Sequence, residues 1–178
     1  MILLALGQKG CGKSLYLTRR TVEYARNNPT TPVFIRDLRG WTGGPTSTVG
    51  ALAPEGARFT DLADFERRGV VDGRLRHRVN LFWRCDADDL FTVGRRYCLQ
   101  LQPCLLVCDE LDQVPNPLTQ KHPAYHCLHY GRFPGVSTFG SARQPQDIAK
   151  AWILLIAGVK LHQPGRSLLV KQELQRKL

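Results

Sequence analysis

A chain of 178 residues is long enough to bury a proper core, and we read 1–178 as one domain; its 43% apolar share is that of an ordinary soluble globular chain. Twenty-five Lys and Arg against fifteen Asp and Glu leave a net charge of +10, which favours a polyanionic partner such as nucleic acid, although a solvated basic surface would give the same count. No apolar run approaches the roughly twenty residues of a membrane span, and Met1 opens directly into an apolar segment rather than a leader, so an intracellular protein is expected.

Met1 to Leu6 is a continuous apolar run of the kind that forms a buried parallel strand. It delivers Gly7-Gln8-Lys9-Gly10-Cys11-Gly12-Lys13-Ser14, a complete G-x-x-x-x-G-K-[ST] phosphate loop. The segment from Leu15 to Ala25 has helical spacing and no proline. The loop therefore sits at a strand-to-helix turn, where glycines let backbone amides converge on phosphate and the helix adds its positive end. The expectation is a nucleoside triphosphate site, with Lys13 on the β- and γ-phosphates and Ser14 on Mg²⁺.

Val33-Phe34-Ile35 reads as a second strand, and the glycine-rich stretch 40–47 as a loop. Thr60 to Arg68 reads as a short helix with Thr60 as its cap. Arg74 to Arg78 is a basic run that either touches DNA or is a solvated turn, and the strand Val79–Trp83 follows it. Asp86 to Leu99 is a helix, acidic at its start and carrying Arg95-Arg96 late, as the macrodipole prefers.

Cys104-Leu105-Leu106-Val107-Cys108-Asp109-Glu110 is the second motif, a buried strand that brings two carboxylates to the ligand-binding edge of the sheet. Asp109 is the expected Mg²⁺ ligand, and Glu110 is placed to orient and deprotonate an attacking water. A helix is expected from about Leu118, then a strand from Val136 to Ser141, then Ala142-Arg143-Gln144-Pro145. Arg143 or Gln144, at the end of a strand beside the carboxylate strand, would face the γ-phosphate. Residues 151–158 read as a last buried strand and 165–178 as a basic tail. Strand-helix alternation throughout implies an α/β fold, a mostly parallel central sheet with helices on both faces and right-handed connections.

Six cysteines (Cys11, Cys85, Cys98, Cys104, Cys108 and Cys127) show no disulfide framework, and several fall in elements where a thiol packs as a small hydrophobe. His122, His126, Cys127 and His129 cluster in sequence, but no second ligand pair at zinc-finger spacing accompanies them.

The order of these motifs, with His129-x-Gly131-Arg132-x-x-Gly135 and Ala142-Arg143-Gln144-Pro145-x-Asp147-Ile148, resembles the FtsK–HerA superfamily of P-loop DNA-pumping ATPases. In size the chain looks most like the genome-packaging ATPases of tailless, membrane-containing icosahedral viruses, and the likeness spans nearly all of it. The resemblance implies a RecA-like fold and a homo-oligomeric ring, usually a hexamer. Such a ring hydrolyses ATP with Mg²⁺ between subunits and drives double-stranded DNA through its pore. It also implies capsid or vertex proteins as partners, and a place in the host cytoplasm or at the portal vertex of the virion. A trans-acting arginine is implied too, for which Arg132 is first and Arg143 second. The family's sensor is usually a Gln before Arg-Pro, whereas this order is Arg143-Gln144-Pro145, which leaves both residues in contention.

Two other readings compete. Phage-assembly ATPases of the zonula-occludens-toxin type share the nucleotide motifs but usually carry a membrane span. A nucleotide kinase would need an arginine-bearing lid, which 67–78 could imitate, yet Asp109-Glu110 and the Arg132 motif fit it poorly.

Overall fold

The computed structural model describes residues 1–8, 10–37, 57–83, 85–114, 119–131, 133–143 and 158–161. In chain order its elements are β1 (Ile2–Leu6), α1 (Lys13–Asn27), β2 (Val33–Asp37), β3 (Arg58–Phe59), α2 (Leu62–Arg68), β4 (Val70–Val71) and β5 (Arg74–Leu75). There follow β6 (Val79–Trp83), α3 (Ala87–Leu99), β7 (Leu105–Cys108), a 3-10 turn (Leu111–Gln113), α4 (Pro123–His129), β8 (Ser137–Ala142) and β9 (Gly158–Leu161).

Seven strands form one sheet in the order β3-β6-β2-β7-β8-β1-β9, and every pairing in it is parallel. Both faces are covered, which explains why the strands read as unbroken apolar runs rather than as alternations. Leu3, Ala5, Val33, Ile35, Leu105, Val107 and Phe139 point to one side, where Leu17, Val22 and Ala25 of α1 pack on them. Leu4, Leu6, Phe34, Phe82, Leu106 and Cys108 point to the other, under Phe65 of α2, Leu90 and Phe91 of α3 and Cys127 of α4. The expected α/β architecture is the observed one.

β8 lies between the loop-bearing strand and the carboxylate strand. Ala5 pairs with Ser141 and Leu6 with Ala142 on one side, and Cys108 pairs with Gly140 on the other. Gly7 N–H donates to Ala142 O (3.3 Å), so the phosphate loop begins level with the end of β8. Gly140 has to be glycine, because a Cβ there would stand 1.9 Å from Cδ1 of Leu111. That close approach seats the 3-10 turn on β8.

Four details differ from the sequence expectations. Asp61 caps α2, its side chain accepting from Asp64 N–H, while Thr60 lies one residue outside. Arg74–Leu75 is a strand, paired antiparallel with Val70–Val71 around Asp72-Gly73, whose φ values of +50° and +73° mark a left-handed hairpin turn. α4 begins at Pro123 rather than near Leu118, since a residue before proline is pushed to extended backbone and proline suits the first helical position. The last described strand is Gly158–Leu161, beside β1, so the strand expected over 151–158 meets it only at Gly158, and 151–157 lie outside the described residues. The loop at 40–47 and the tail at 165–178 lie outside them too.

Candidate functional site

The C-terminal ends of β1, β7 and β8 meet around a cleft of about 390 Å³, within the range of small-molecule sites. Gly10, Gly12, Lys13 and Ser14 line one wall, Asp109, Glu110 and Asp112 a second, and Ser141, Ala142 and Arg143 a third. Sequence motifs about ninety-five residues apart therefore face one another.

Gly10 and Gly12 adopt φ of +83° and +90°, a region that L side chains rarely enter, and Gly12 opens α1. Lys13 Nζ donates to the carbonyls of Gly7 (2.6 Å) and Gln8 (2.9 Å) and lies 3.9 Å from Cys11 Sγ. These acceptors are uncharged. A phosphate oxygen in the loop would draw the ammonium away from them, because it adds the attraction of opposite full charges to the hydrogen bond.

Ser14 Oγ donates to Asp109 Oδ2 at 2.8 Å. Ser141 Oγ donates to Asp109 Oδ1 and accepts from Glu110 N–H at 3.2 Å. Ser141 is 0% exposed and was not singled out from sequence, although its place near the end of β8 was the available signal. Glu110 has φ 62° and ψ 61°, a left-handed conformation that costs a non-glycine residue about 1–2 kcal/mol. Its side chain accepts from Gln113 Nε2 at 2.8 Å.

Beneath the two carboxylates lies Arg36, the fourth residue of β2 and only 3% exposed. Its Nε donates to Cys85 O (2.8 Å), one terminal nitrogen to Asp109 O (3.1 Å) and the other to Gln113 Oε1. The two thiols near it stay neutral, since burial pushes Cys85 and Cys108 up to about 12 against the pull of the guanidinium.

The donor set suits Mg²⁺. A hydroxyl and a carboxylate 2.8 Å apart, at a phosphate loop, are hard oxygen ligands that leave the remaining positions to phosphate and water. Among the described residues no group of three or more His, Cys, Asp or Glu could hold a metal without such help. The His122 cluster accordingly disperses: His122 bonds Asp88 (2.9 Å) and caps α4, Cys127 donates to Phe91 O (3.5 Å), and His129 stacks on Tyr125 (4.1 Å).

Of the other residues marked from sequence, Arg143 is exposed and lines the cleft. Lys9, Arg132 and Gln144 lie outside the described residues. Gly131 and Phe133, which flank Arg132, precede β8 and so belong to the opposite edge of the sheet; Phe133 is 86% exposed. Arg78, in the run that was open to DNA contact, instead donates to Ala25 O and Asn28 O at the end of α1, leaving Arg74 and Arg76 exposed. The described residues include no helix long and apolar enough to cross a membrane.

Parallel sheet, phosphate loop and facing carboxylates together define a P-loop α/β fold. No family model matches the chain, and no curated protein matches it in sequence. Solved structures do. The genome packaging NTPase B204 from Sulfolobus turreted icosahedral virus 2, in complex with sulfate, is similar at a TM-score of 0.65 and 15% identity, over 90% of this chain and 72% of that one. In complex with AMPPCP it is similar at 0.63 and 17% identity, over 90% and 74%. B204, the DNA-packaging ATPase from Sulfolobus turreted icosahedral virus, is similar at 0.61 and 14% identity, over 98% and 80%. At such identities the likeness is one of fold alone, a P-loop α/β fold shared with these genome-packaging NTPases.

Proposed function

We propose that this chain is the ATP-hydrolysing subunit of a ring, of hexameric kind, that pumps double-stranded DNA, and that its task is to load a viral genome into a capsid. One observation carries the reading: Ser14 and Asp109 stand 2.8 Å apart at the phosphate loop with Glu110 beside them, on a fold shared with genome-packaging NTPases.

In this reading the amides of the loop from Gly7 to Ser14 and the start of α1 cradle the phosphates, and Lys13 meets the β- and γ-oxygens. Ser14 and Asp109 would hold Mg²⁺, which supplies positive charge to the developing phosphate charge. Ser141 keeps the Asp109 carboxylate aimed at Ser14. Glu110 accepts the proton of the attacking water, a role worth about 10²–10⁴-fold in rate. Arg143 senses the γ-phosphate from within the subunit, with Gln144 as its neighbour in that task. Arg132, in the His129-x-Gly131-Arg132-x-x-Gly135 motif, is assigned on that sequence resemblance to the neighbouring subunit's nucleotide. The charge of +10 suits a duplex in the pore. Capsid or vertex proteins would anchor the ring in the host cytoplasm or at the virion.

The test is steady-state ATP hydrolysis with and without duplex DNA, for the native chain, Glu110→Gln and Arg132→Ala. DNA stimulation, loss in each variant and partial recovery when the two variants are mixed are expected. Turnover indifferent to Arg132, with phosphate passed to a nucleoside acceptor, would sink the motor in favour of a kinase.

A further inference from the structure

We propose that Gln113 is a positioning residue for Glu110, and that Arg36 dictates which way it acts. The inference rests on the reading of Glu110 as the hydrolytic base. A guanidinium has donors only, so the Gln113 amide must turn its oxygen to Arg36. Its nitrogen then has one direction left, and it lies 2.8 Å from Glu110 Oε2. An amide whose two ends are usually interchangeable is thereby oriented by chemistry, and it can only donate to Glu110.

The anchor is firm although Gln113 itself is exposed. Arg36 is buried and held on two sides by the carbonyls of Cys85 and Asp109, which tie its guanidinium between the ends of β6 and β7. The turn carrying Gln113 is equally constrained. Gln113 N–H donates to Glu110 O (3.2 Å), and Leu111, 1% exposed, is wedged over Gly140. Glu110 is thus gripped by its own amide through Ser141, by its carbonyl and by its carboxylate. Such a grip is what a left-handed glutamate needs to keep one orientation. Arg36, meanwhile, bonds the main-chain oxygen of Asp109, which leaves the Asp109 carboxylate to Ser14, Ser141 and a ligand.

A plainer role exists for Gln113, which is to satisfy the buried Arg36. Two variants separate the roles. Gln113→Glu pairs with Arg36 at least as well but presents Glu110 with an acceptor. Gln113→Met keeps the length but neither accepts from Arg36 nor donates to Glu110. ATP turnover on duplex DNA and thermal unfolding are measured for both and for the native chain. With Gln113→Glu, the unfolding midpoint and KM stay native while kcat falls about tenfold, the factor set by one misdirected hydrogen bond. Gln113→Met loses a similar factor in kcat and also some stability. Native kcat in Gln113→Glu would overturn this inference alone. A native chain without turnover on DNA would overturn the reading of Glu110 and this inference with it.

Discussion

Two carboxylate clusters in this molecule are held in opposite ways. Asp64, on α2 and 8% exposed, accepts from Arg67 (2.8 Å), twice from Arg68 and from Thr60 N–H (3.1 Å). The Arg68 guanidinium first, with Arg67 and the Thr60 amide behind it, holds its carboxyl well below the usual carboxylate range despite burial. Asp109 receives hydroxyls from Ser14 and Ser141, both uncharged, and Glu110 accepts the amide of Gln113. The buried cation bonded to the Asp109 main chain, Arg36, spends its bonds on carbonyl oxygens. A carboxylate already neutralised by guanidinium is scaffolding. One held in place by neutral hydroxyls, as Asp109 is, still has its charge to offer to a metal.

The sharpest test of that contrast is Glu110→Gln. It should lower ATP turnover by about 10²–10⁴-fold while leaving the unfolding midpoint near native, because an amide oxygen still accepts from Gln113 but takes no proton from water. Binding of a fluorescent ATP analogue should survive. A variant that loses binding or stability to the same extent would erase the distinction between the two clusters.

Asp64→Asn should do the reverse. Turnover stays native and the fold loses about 1–3 kcal/mol, since two arginines lose their charged acceptor. The pH dependence follows from the direction of the shift. A carboxyl depressed in the folded state contributes fully above the unfolded value of about 4 and loses that contribution as pH falls below it. The native unfolding midpoint should therefore drop as pH falls from about 5 to 2, and the Asp64→Asn curve should be flatter there. Parallel curves would show that Asp64 carries no linkage.

Ser141→Ala comes next in size. It removes a donor from Asp109 and an acceptor from Glu110 N–H at a buried position, which should cost about 1 kcal/mol in stability. A fall in kcat of severalfold, read with KM in steady-state assays, is expected beside it. An unchanged kcat would mean that Ser14 alone aims Asp109.

What the sequence disclosed divides along the same line. The phosphate loop and the Asp109-Glu110 strand were legible because each is local: an apolar run, then the polar residues it delivers. Legible too was the parallel sheet, because strands buried on both faces have no polar alternation. The Asp72-Gly73 hairpin carried a strong turn signal that the basic run after it obscured. Arg36 was not legible. Its burial depends on carbonyls of Cys85 and Asp109, 49 and 73 residues away, and a charged residue near the end of a strand ordinarily reaches solvent. Gln113 and Ser141 were missed for the same reason, their partners being set by the register of β7 and β8. The roles of Lys9, Arg132 and Gln144 rest on sequence alone, since they lie outside the described residues.

The smallest effect should come from Arg67→Ala, and it tests whether the Asp64 cluster is as saturated as it looks. The Arg67 side chain is 75% exposed, and its contact with Asp64 spans one helical turn. An exposed pair of this kind contributes at most about 0.5 kcal/mol. Arg68 is less exposed, contacts both carboxylate oxygens and lies 5.0 Å over the Phe59 ring. Arg68, with the Thr60 amide, therefore holds most of the Asp64 charge, and deleting Arg67 shifts the acid limb of the stability curve only slightly. Were Arg67→Ala to flatten that limb as Asp64→Asn does, the second guanidinium would be needed to hold the proton off. Saturation by charge would then be the joint property of two arginines, and the contrast with Asp109, whose carboxylate is held by two hydroxyls, would be one of degree.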